Sequence, residues 1–168
     1  ETSSYTFTGV SHGTHTITVR ITDIGGNETI KSVSVNVVVT YTVTYNANGG
    51  AGVPSSQTKT HGTNLTLSST RPTRTGYTFL GWSTSSGATS ATYSAGGTFD
   101  LNADTTLYAV WQANTYTITY NANGGSGAPA AQSYTYATSG TINLSSTRPT
   151  RSGYTFLGWS LSSTATSP

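Results

Sequence analysis

Side chains that could carry acid–base or nucleophilic chemistry are few in this sequence and widely separated. An active site needs groups that exchange protons or attack a substrate, held together in a shaped pocket. None of the serines lies in a nucleophile-elbow pattern, and there is no cysteine. The sequence therefore predicts that the chain is not an enzyme and binds no cofactor. The histidines and carboxylates that remain are His12, His15, His61, Glu1, Asp23, Glu28, Asp100 and Asp104.

Three short motifs contain residue types that ligate metals, but none of them predicts a metal site. His12 and His15 lie in "HGTH" at the entry to a strand, where positions three apart face opposite sides, and no third ligand follows. "NANGG" and "NADTT" offer oxygen atoms for calcium, yet a tight site needs several carboxylates and these loops have one or none. Turn formation, in which Asn and Gly adopt positive φ, is the better interpretation.

Four arginines are the best candidates for binding a partner. Arg71 and Arg74 lie in "STRPTR", and the same motif recurs with Arg148 and Arg151. Two positive charges in each copy would attract an acidic surface polymer, such as a teichoic acid or a sulfated glycan, weakly and with strong dependence on salt. The alternative, which we prefer, is that these side chains solvate a loop and stack on neighbouring tyrosines.

The three tryptophans and eleven tyrosines could form a platform on which sugar rings stack. Trp82 and Trp111 lie in segments that are apolar on both faces, and such strands are usually central or wrapped. Core packing is therefore favoured over sugar binding. The predicted structural core consists of Tyr45, Tyr77, Phe79, Trp82, Trp111, Tyr120, Phe156 and Trp159.

Charged residues make up only 7% of the 168-residue chain, far below the roughly 25% of an average soluble domain. The seven basic and five acidic residues are scattered, so no stretch could neutralise a run of phosphates, and we predict no nucleic-acid partner. No apolar run is long enough to span a bilayer. The composition and the absence of an initial Met lead us to expect an exported protein, cut from a longer precursor whose signal segment lies upstream.

The sequence repeats itself, and this repetition is the clearest guide to its organisation. "YTVTYNANGG" at positions 41–50 recurs as "YTITYNANGG" at 116–125, and "LSSTRPTRTGYTFLGWS" at 67–83 recurs at 144–160 with one change. The first copy continues to "LYAVW" at 107–111, for which the second copy has no counterpart. We therefore predict three segments, the last of them an incomplete second copy: residues 1–40, 41–112 and 113–168.

Alternating hydrophobicity predicts β-strands throughout the chain. In the first segment, Ile17, Val19 and Ile21 alternate with polar residues, and a run of valines from Val33 to Val39 does the same. The glycines and Asn of "DIGGNE" between these runs are typical of a hairpin connection, so two half-buried strands joined as a hairpin are expected. No window has a helical period longer than one turn, and the predicted fold class is mainly β.

With these landmarks in order, the second and third segments resemble the Listeria-Bacteroides repeat, a family that includes the B repeats of Listeria internalins. The matching motifs are "YTVTYNANGG", "RPTRTGYTFLGWS", the "GTF" of residues 97–99, and "LYAVW". The resemblance implies a small β-grasp-like (ubiquitin-like) module, arranged in tandem in bacterial surface proteins. The first segment resembles the C-terminal part of a bacterial immunoglobulin-like β-sandwich domain, through the hairpin "GTHTITVRITDIGGNETIKSVSVNVVV".

This resemblance implies a non-catalytic stalk or spacer in a bacterial cell-surface protein, located outside the cell and attached to the cell wall through other parts of the precursor. The expected partners are neighbouring modules of the same chain, with weak adhesion to a cell-surface glycan or a host protein. The alternative is a self-assembling surface fibre, in which copies of the chain exchange β-strands at their incomplete terminal modules.

Overall fold

The computed structural model describes residues 5–136 and 140–168, and within these ranges the chain forms β-strands and no helix. The prediction of a mainly β fold is therefore confirmed. Among the described residues there is no apolar helix of the length that crossing a membrane requires. The strands are β1 (Gly13–Thr22), β2 (Glu28–Val37), β3 (Thr40–Asn46), β4 (Gln57–Thr60), β5 (Leu65–Thr66), β6 (Tyr77–Ser83), β7 (Thr98–Phe99), β8 (Thr105–Ala113), β9 (Thr115–Ile118) and β10 (Gln132–Thr135).

The described chain forms two compact units. Residues 5–73 together with Phe79–Val110 form one unit, and Arg74–Thr78 together with Trp111–Pro168 form the other. The copies of the repeated sequence are called the first repeat, residues 41–112, and the second repeat, residues 113–168. These segment boundaries stay a prediction.

β1 and β2 pair antiparallel over their whole length, from Gly13 opposite Val37 to the turn that follows Thr22. The turn is closed by the Asp23 carboxylate, which accepts hydrogen bonds from the backbone N–H (2.8 Å) and the side-chain amide (2.9 Å) of Asn27. The expected hairpin is therefore present. The prediction that both strands are half-buried is wrong near the turn, because no second layer of the described chain covers that part. The exposed apolar side chains there are Val19, Ile21, Ile30 and Val33.

The first repeat is built on a four-stranded sheet with the order β4-β3-β8-β6. β3 pairs antiparallel with β4, with Val43 opposite Gln57, and parallel with β8, with Tyr45 opposite Leu107. β8 therefore lies in the middle of the sheet, as its apolar residues on both faces predict. β6 lies at the edge of the sheet, beyond β8.

The core of the first repeat combines residues of this sheet with residues near the short β5–β7 pair, in which Leu65 lies opposite Phe99. Trp82 of β6 is the largest buried side chain, and its ring centre lies 4.8 Å from that of Tyr45 and 5.0 Å from that of Phe79. The fully buried apolar residues are Val43, Leu67, Trp82, Phe99, Leu107, Ala109 and Val110.

A lysine is buried beside this core. Lys59 of β4 is 1% exposed, and its ammonium group donates hydrogen bonds to Asn102 Oδ1 (2.7 Å) and to the Thr60 carbonyl oxygen (3.2 Å). Burying a cation is costly unless hydrogen bonds replace its hydration, and these two oxygens supply them. In the second repeat, Tyr134 occupies the position equivalent to Lys59.

Gly81 lets another segment of the first repeat approach the edge strand β6. Its φ is 146°, and a Cβ at this position would lie 2.7 Å from the Ala91 Cβ. The close approach allows the Trp82 N–H to donate to the Tyr93 carbonyl oxygen (2.7 Å) and the Tyr93 N–H to donate to that of Trp82 (2.9 Å). Because of these two hydrogen bonds, the edge strand β6 is wrapped by the segment around Tyr93. Burial, with a smaller contribution from the Asp100 charge, raises the pKa of the Tyr93 hydroxyl.

The second repeat keeps only one pair of strands from this sheet. β9 pairs antiparallel with β10, with Ile118 opposite Gln132, in the register that places Val43 opposite Gln57 in the first repeat. Residues 154–160 have the sequence of β6 but form no strand. The reason is that β6 pairs with β8, and the second copy has no counterpart of β8 in this chain.

Replacing Gly81 with Ala is expected to destabilise the first repeat by about 1–3 kcal/mol, because φ is unfavourable for an L-residue and the added Cβ would collide with residues 91 and 93. Chemical denaturation followed by tryptophan fluorescence measures the free energy of unfolding. Gly87→Ala is the matched control, since no atom lies within 4 Å of the position that its Cβ would take. Equal stability of the two variants would contradict the close approach at Gly81.

The hairpin turn is expected to weaken in acid. The hydrogen bonds from the Asn27 side chain and backbone lower the pKa of the Asp23 carboxyl. Such a group stabilises the turn fully above its ordinary pKa of about 3.9, and this contribution is lost as the pH falls through the lowered value. The NMR resonance of the Asn27 N–H should therefore shift as the pH is lowered below the ordinary aspartate pKa of about 3.9. The Asp23→Asn variant should show no such titration, and a shift of equal size in both proteins would contradict the role of the carboxylate.

Candidate functional site

Each repeat holds an arginine over a tyrosine at a tight turn. In the first repeat, the Tyr77 N–H donates to the Arg74 carbonyl oxygen (3.1 Å), and Gly76 between them has a φ of 75°. A type II turn requires positive φ at this third position, and glycine adopts it without strain. The turn places the Arg74 guanidinium carbon 3.9 Å from the centre of the Tyr77 ring. This distance is typical of a cation–π contact.

The second repeat forms the same turn. The Tyr154 N–H donates to the Arg151 carbonyl oxygen (3.1 Å), and Gly153 has a φ of 76°. The Arg151 guanidinium carbon lies 4.0 Å from the centre of the Tyr154 ring, and Arg151 also donates to the Asn123 carbonyl oxygen (3.1 Å). Stacking on a neighbouring tyrosine, the preferred interpretation of the four arginines, is therefore the geometry of Arg74 and Arg151.

The two arginines of the second repeat line a shallow, open depression of about 470 Å³. Arg148 is exposed, and Tyr154 is 67% exposed. The second repeat contains no acidic residue, so nothing within it neutralises the two positive charges. Arg71, which is equivalent to Arg148, is exposed in the first repeat. The residues that line the depression are Arg148, Pro149, Thr150, Arg151, Ser152, Tyr154, Thr155 and Phe156.

Asp23, Glu28 and Asp104 have structural partners. Asp104 Oδ1 accepts a hydrogen bond from the Thr42 N–H (2.7 Å) beside the parallel pair of strands. Glu28 lies 3.4 Å from Arg20 across the hairpin, where both side chains are exposed and the ion pair contributes little to stability. Glu1 lies outside the described residues. Among the described residues, no group of three or more His, Asp or Glu side chains could hold a metal ion.

Among the loops that contain possible calcium ligands, the two "NANGG" loops are turns. The turn interpretation is wrong for "NADTT", because Asn102 does not have positive φ and its Oδ1 instead accepts hydrogen bonds from the Lys59 ammonium and the Gly62 N–H. Asn48 and Asn123, the equivalent residues of the two "NANGG" motifs, have φ values of 47° and 49°. Their N–H groups donate to the side-chain oxygens of Asn46 and Asn121, each at 2.8 Å. The interpretation of these asparagines as turn residues with positive φ is therefore confirmed.

Two of the histidines meet at the start of the first repeat. Val39, just before β3, donates its N–H to His12 Nδ1 (3.1 Å) and accepts a hydrogen bond from the His61 N–H (2.9 Å). The His12 and His61 ring centres lie 5.2 Å apart, and the Tyr41 hydroxyl is within hydrogen-bond distance of His61 Nδ1 (2.8 Å). The backbone N–H and the carbonyl oxygen of Val39 are thus both hydrogen-bonded. His15 is separate, with Nε2 2.8 Å from the Ser11 carbonyl oxygen.

The same arrangement recurs at the start of the second repeat. Asn114, 75 positions after Val39, donates its N–H to the Gly76 carbonyl oxygen (2.9 Å) and accepts a hydrogen bond from the Tyr136 N–H (2.8 Å). The Tyr136 ring lies 5.5 Å from the Tyr77 ring, edge to face, and covers Gly76 so closely that a Cβ there would overlap it. We call the two arrangements the joint clamps, formed by Val39 with His12 and His61, and by Asn114 with Gly76 and Tyr136.

Sequence reasoning did not predict the joint clamps. It treated His61 only as a possible catalytic residue, and Tyr136 lies where the two copies differ most. A usable signal existed, because His61 and Tyr136 each lie four residues after a glutamine that hydrogen-bonds a core tyrosine, Gln57 or Gln132. Aligning the copies on those glutamines would have made His61 and Tyr136 equivalent.

Of the eight predicted core residues, one is fully buried and seven are partly buried. Trp82 is fully buried. The partly buried ones are Tyr45, Tyr77, Phe79, Trp111, Tyr120, Phe156 and Trp159.

The sequence model of the Listeria-Bacteroides repeat domain matches this chain twice, over residues 41–110 and 116–168. The chain belongs to the Listeria-Bacteroides repeat family. The matches begin at Tyr41 and Tyr116, the residues that open the two copies of the repeated strand motif. The tandem arrangement predicted from the internal repetition is therefore confirmed.

Two proteins of Evansella cellulosilytica are similar to this member of the family. One, provisionally named "Gly-rich membrane protein", is 35% identical over 85 residues, which are 50% of this chain and 9% of that protein. The other, provisionally named "membrane protein", is 32% identical over 119 residues, which are 71% of this chain and 17% of that protein. The chain thus spans less than a fifth of either relative. No solved structure matched the chain significantly.

Proposed function

We propose that this chain is a non-catalytic spacer in a surface-associated bacterial protein, in which tandem repeats hold other parts of the same polypeptide at a distance. The similarity to two proteins named as membrane proteins supports the surface association. The observation that carries the proposal is the recurrence of the joint clamp at the start of both repeats.

A spacer maintains a distance only if the chain between its modules is not free to rotate. In each clamp, the linker residue has its N–H and its carbonyl oxygen occupied by different partners, Val39 in one case and Asn114 in the other. Fixing one residue of backbone costs about 1–2 kcal/mol of conformational entropy. The hydrogen bonds and the ring contacts of His61 and Tyr136 offset this cost.

The finer fold assignments belong to the same proposal. The central parallel pairing of β3 with β8, flanked by β4 and β6, supports a β-grasp-like first repeat. The uncovered apolar face of the β1–β2 hairpin supports an immunoglobulin-like origin, because the second sheet of a sandwich covers such a face.

Weak adhesion to acidic glycans is a second candidate function, and the depression beside Arg148 and Arg151 favours it. Guanidinium groups donate paired hydrogen bonds to sulfate or carboxylate oxygens, and the exposed face of Tyr154 can stack on a sugar ring. Two charges give an attraction that is weak and screened by salt.

Spin labels on both sides of the second clamp test the spacer proposal. The chain has no cysteine, so Thr75→Cys and Ser133→Cys, both exposed and in the same compact unit, accept labels selectively. We expect double electron–electron resonance to give a narrow distribution of distances between the two labels. Tyr136→Ala should broaden this distribution, whereas the exposed control Tyr154→Ala should not. A distribution that is equally broad before and after Tyr136→Ala would contradict the proposal.

A glycan array tests adhesion. The chain is expected to retain sulfated or uronic-acid glycans at low salt, and Arg148→Ala with Arg151→Ala should reduce this retention at least about tenfold, since both cations of the second repeat are removed. Lys31→Ala with Arg20→Ala removes two exposed charges from the hairpin and is the matched control. An unchanged binding profile in the Arg148 and Arg151 variant would contradict adhesion and leave the spacer role as the one proposed function.

A further inference from the structure

The two joint clamps differ in the atom that accepts the linker N–H. In the first clamp the acceptor is His12 Nδ1, which lies 3.1 Å from the Val39 nitrogen, and in the second it is the Gly76 carbonyl oxygen, 2.9 Å from the Asn114 nitrogen. A carbonyl oxygen accepts a hydrogen bond at any ordinary pH. An imidazole nitrogen accepts one only while it carries no proton, and histidine is the side chain whose charge ordinarily changes between about pH 8 and pH 5. Of the two clamps, the first is therefore the one that depends on a titratable acceptor.

The hydrogen bond from Val39 defines the protonation state of His12 in the closed clamp. Because Nδ1 accepts this bond, the proton of the neutral ring lies on Nε2. A second proton would bind at Nδ1, where it would face the Val39 N–H, so that two donors would meet and the hydrogen bond would be lost. Val39 is partly buried, and its N–H would then have no partner unless the clamp opened to water. A closed clamp and a protonated His12 are therefore incompatible.

A second histidine adds to this effect. The His61 ring centre lies 5.2 Å from that of His12. His61 Nδ1 and the Tyr41 hydroxyl, 2.8 Å apart, can keep their hydrogen bond when His61 is protonated, because a hydroxyl accepts as well as donates. A protonated His61 therefore stays in place, and its charge repels a charge on His12 at short range. Both effects favour opening of the clamp as protons bind.

The other titratable groups around the clamp do not offset a positive charge on its rings. Within the described residues, Arg20 and Glu28 form the only ion pair, so no carboxylate lies within ion-pair distance of His12 or His61. Each of the remaining groups is bound elsewhere. They are the Lys59 ammonium on β4, which donates to Asn102 Oδ1, the Asp104 carboxylate before β8, which accepts from the Thr42 N–H, and His15 on β1, which lies beside the Ser11 carbonyl oxygen.

We propose that the first joint clamp is a pH-sensitive joint, closed at neutral pH and opened in mildly acidic surroundings by protonation of His12. Opening frees Val39, so that the β1–β2 hairpin and the first repeat can move relative to each other, while the second clamp stays closed. The opening follows from the hydrogen bond itself, whereas its effect on the reach of the chain rests on the proposed spacer function. By linkage, the ratio of open to closed clamps rises up to about tenfold for each pH unit over which one proton is taken up.

NMR of the full chain labelled with nitrogen-15 tests the hydrogen bond directly. A nitrogen–nitrogen scalar coupling between Val39 and His12 Nδ1 is expected at about pH 7.5 and should be absent at about pH 5. Hydrogen exchange at the Val39 amide, corrected for the intrinsic effect of pH, should become at least about tenfold less protected. The Asn114 amide of the second clamp is the internal control and should keep its protection. A coupling that persists in acid, or equal loss of protection at Val39 and Asn114, would overturn the proposal.

His12→Asn is the matched variant, because the asparagine side-chain oxygen can accept the bond in place of Nδ1 but does not titrate in this range. Spin labels at Ser34→Cys and Ser55→Cys, both exposed and in the same compact unit, report on the joint. Their distance distribution should be narrow at about pH 7.5 and broad at about pH 5, and narrow at both in His12→Asn. His15→Asn, outside the clamp, should leave the broadening unchanged. Broadening that His15→Asn abolishes and His12→Asn does not would assign the effect to the wrong histidine and refute the proposal.

Labels across the second clamp separate this proposal from the spacer function. The pair Thr75→Cys and Ser133→Cys should give the same narrow distribution at both pH values. Failure of the spacer function appears as a broad distribution for this pair at about pH 7.5. Failure of the pH-sensitive joint appears as a distribution between labels at positions 34 and 55 that does not change with pH.

Discussion

The pairing of β8 between β3 and β6 is the interaction on which the first repeat depends. It joins residues 62 positions apart, Tyr45 and Leu107, so it closes a long loop whose entropy the contact must offset. Burial supplies the free energy, since a fully buried Leu or Val side chain contributes about 1.5–3 kcal/mol, and Leu107 and Val110 are both fully buried. The part of the second repeat that this sequence contains includes no equivalent strand, and there Leu144, the equivalent of the buried Leu67, is 48% exposed.

The two copies show that the same local sequence takes a different structure when its tertiary contacts differ. "GYTFLGWS" is the same in both, yet it forms β6 in one copy and no strand in the other. Sequence patterns predicted β-strands in both places, because alternation and β-propensity belong to the segment itself. Whether a strand forms depends on a partner, and no property of these eight residues specifies one. The same limit applies to the hairpin, where the alternation of Val19 and Ile21 predicts two faces but not a layer that covers either.

Features within a few residues of each other were predictable, and those that depend on distant residues were not. The arginine–tyrosine stacks follow from "RTGY" and "RSGY", because the glycine permits the turn that brings the side chains together. Lys59 is different, since its burial depends on Asn102, 43 positions away. The exposure of Tyr154 could not be predicted either, because its equivalent Tyr77 lies in nearly the same local sequence and is partly buried.

The joint clamps make the modules interchangeable. The linker N–H is satisfied by an imidazole nitrogen of the hairpin in one clamp and by a backbone carbonyl oxygen of a repeat in the other, while the aromatic residue that closes each clamp lies outside the buried core. The same clamp therefore forms where a repeat follows the hairpin and where it follows another repeat. Recombination between genes that encode such arrays can change their order and length without altering how any single repeat folds.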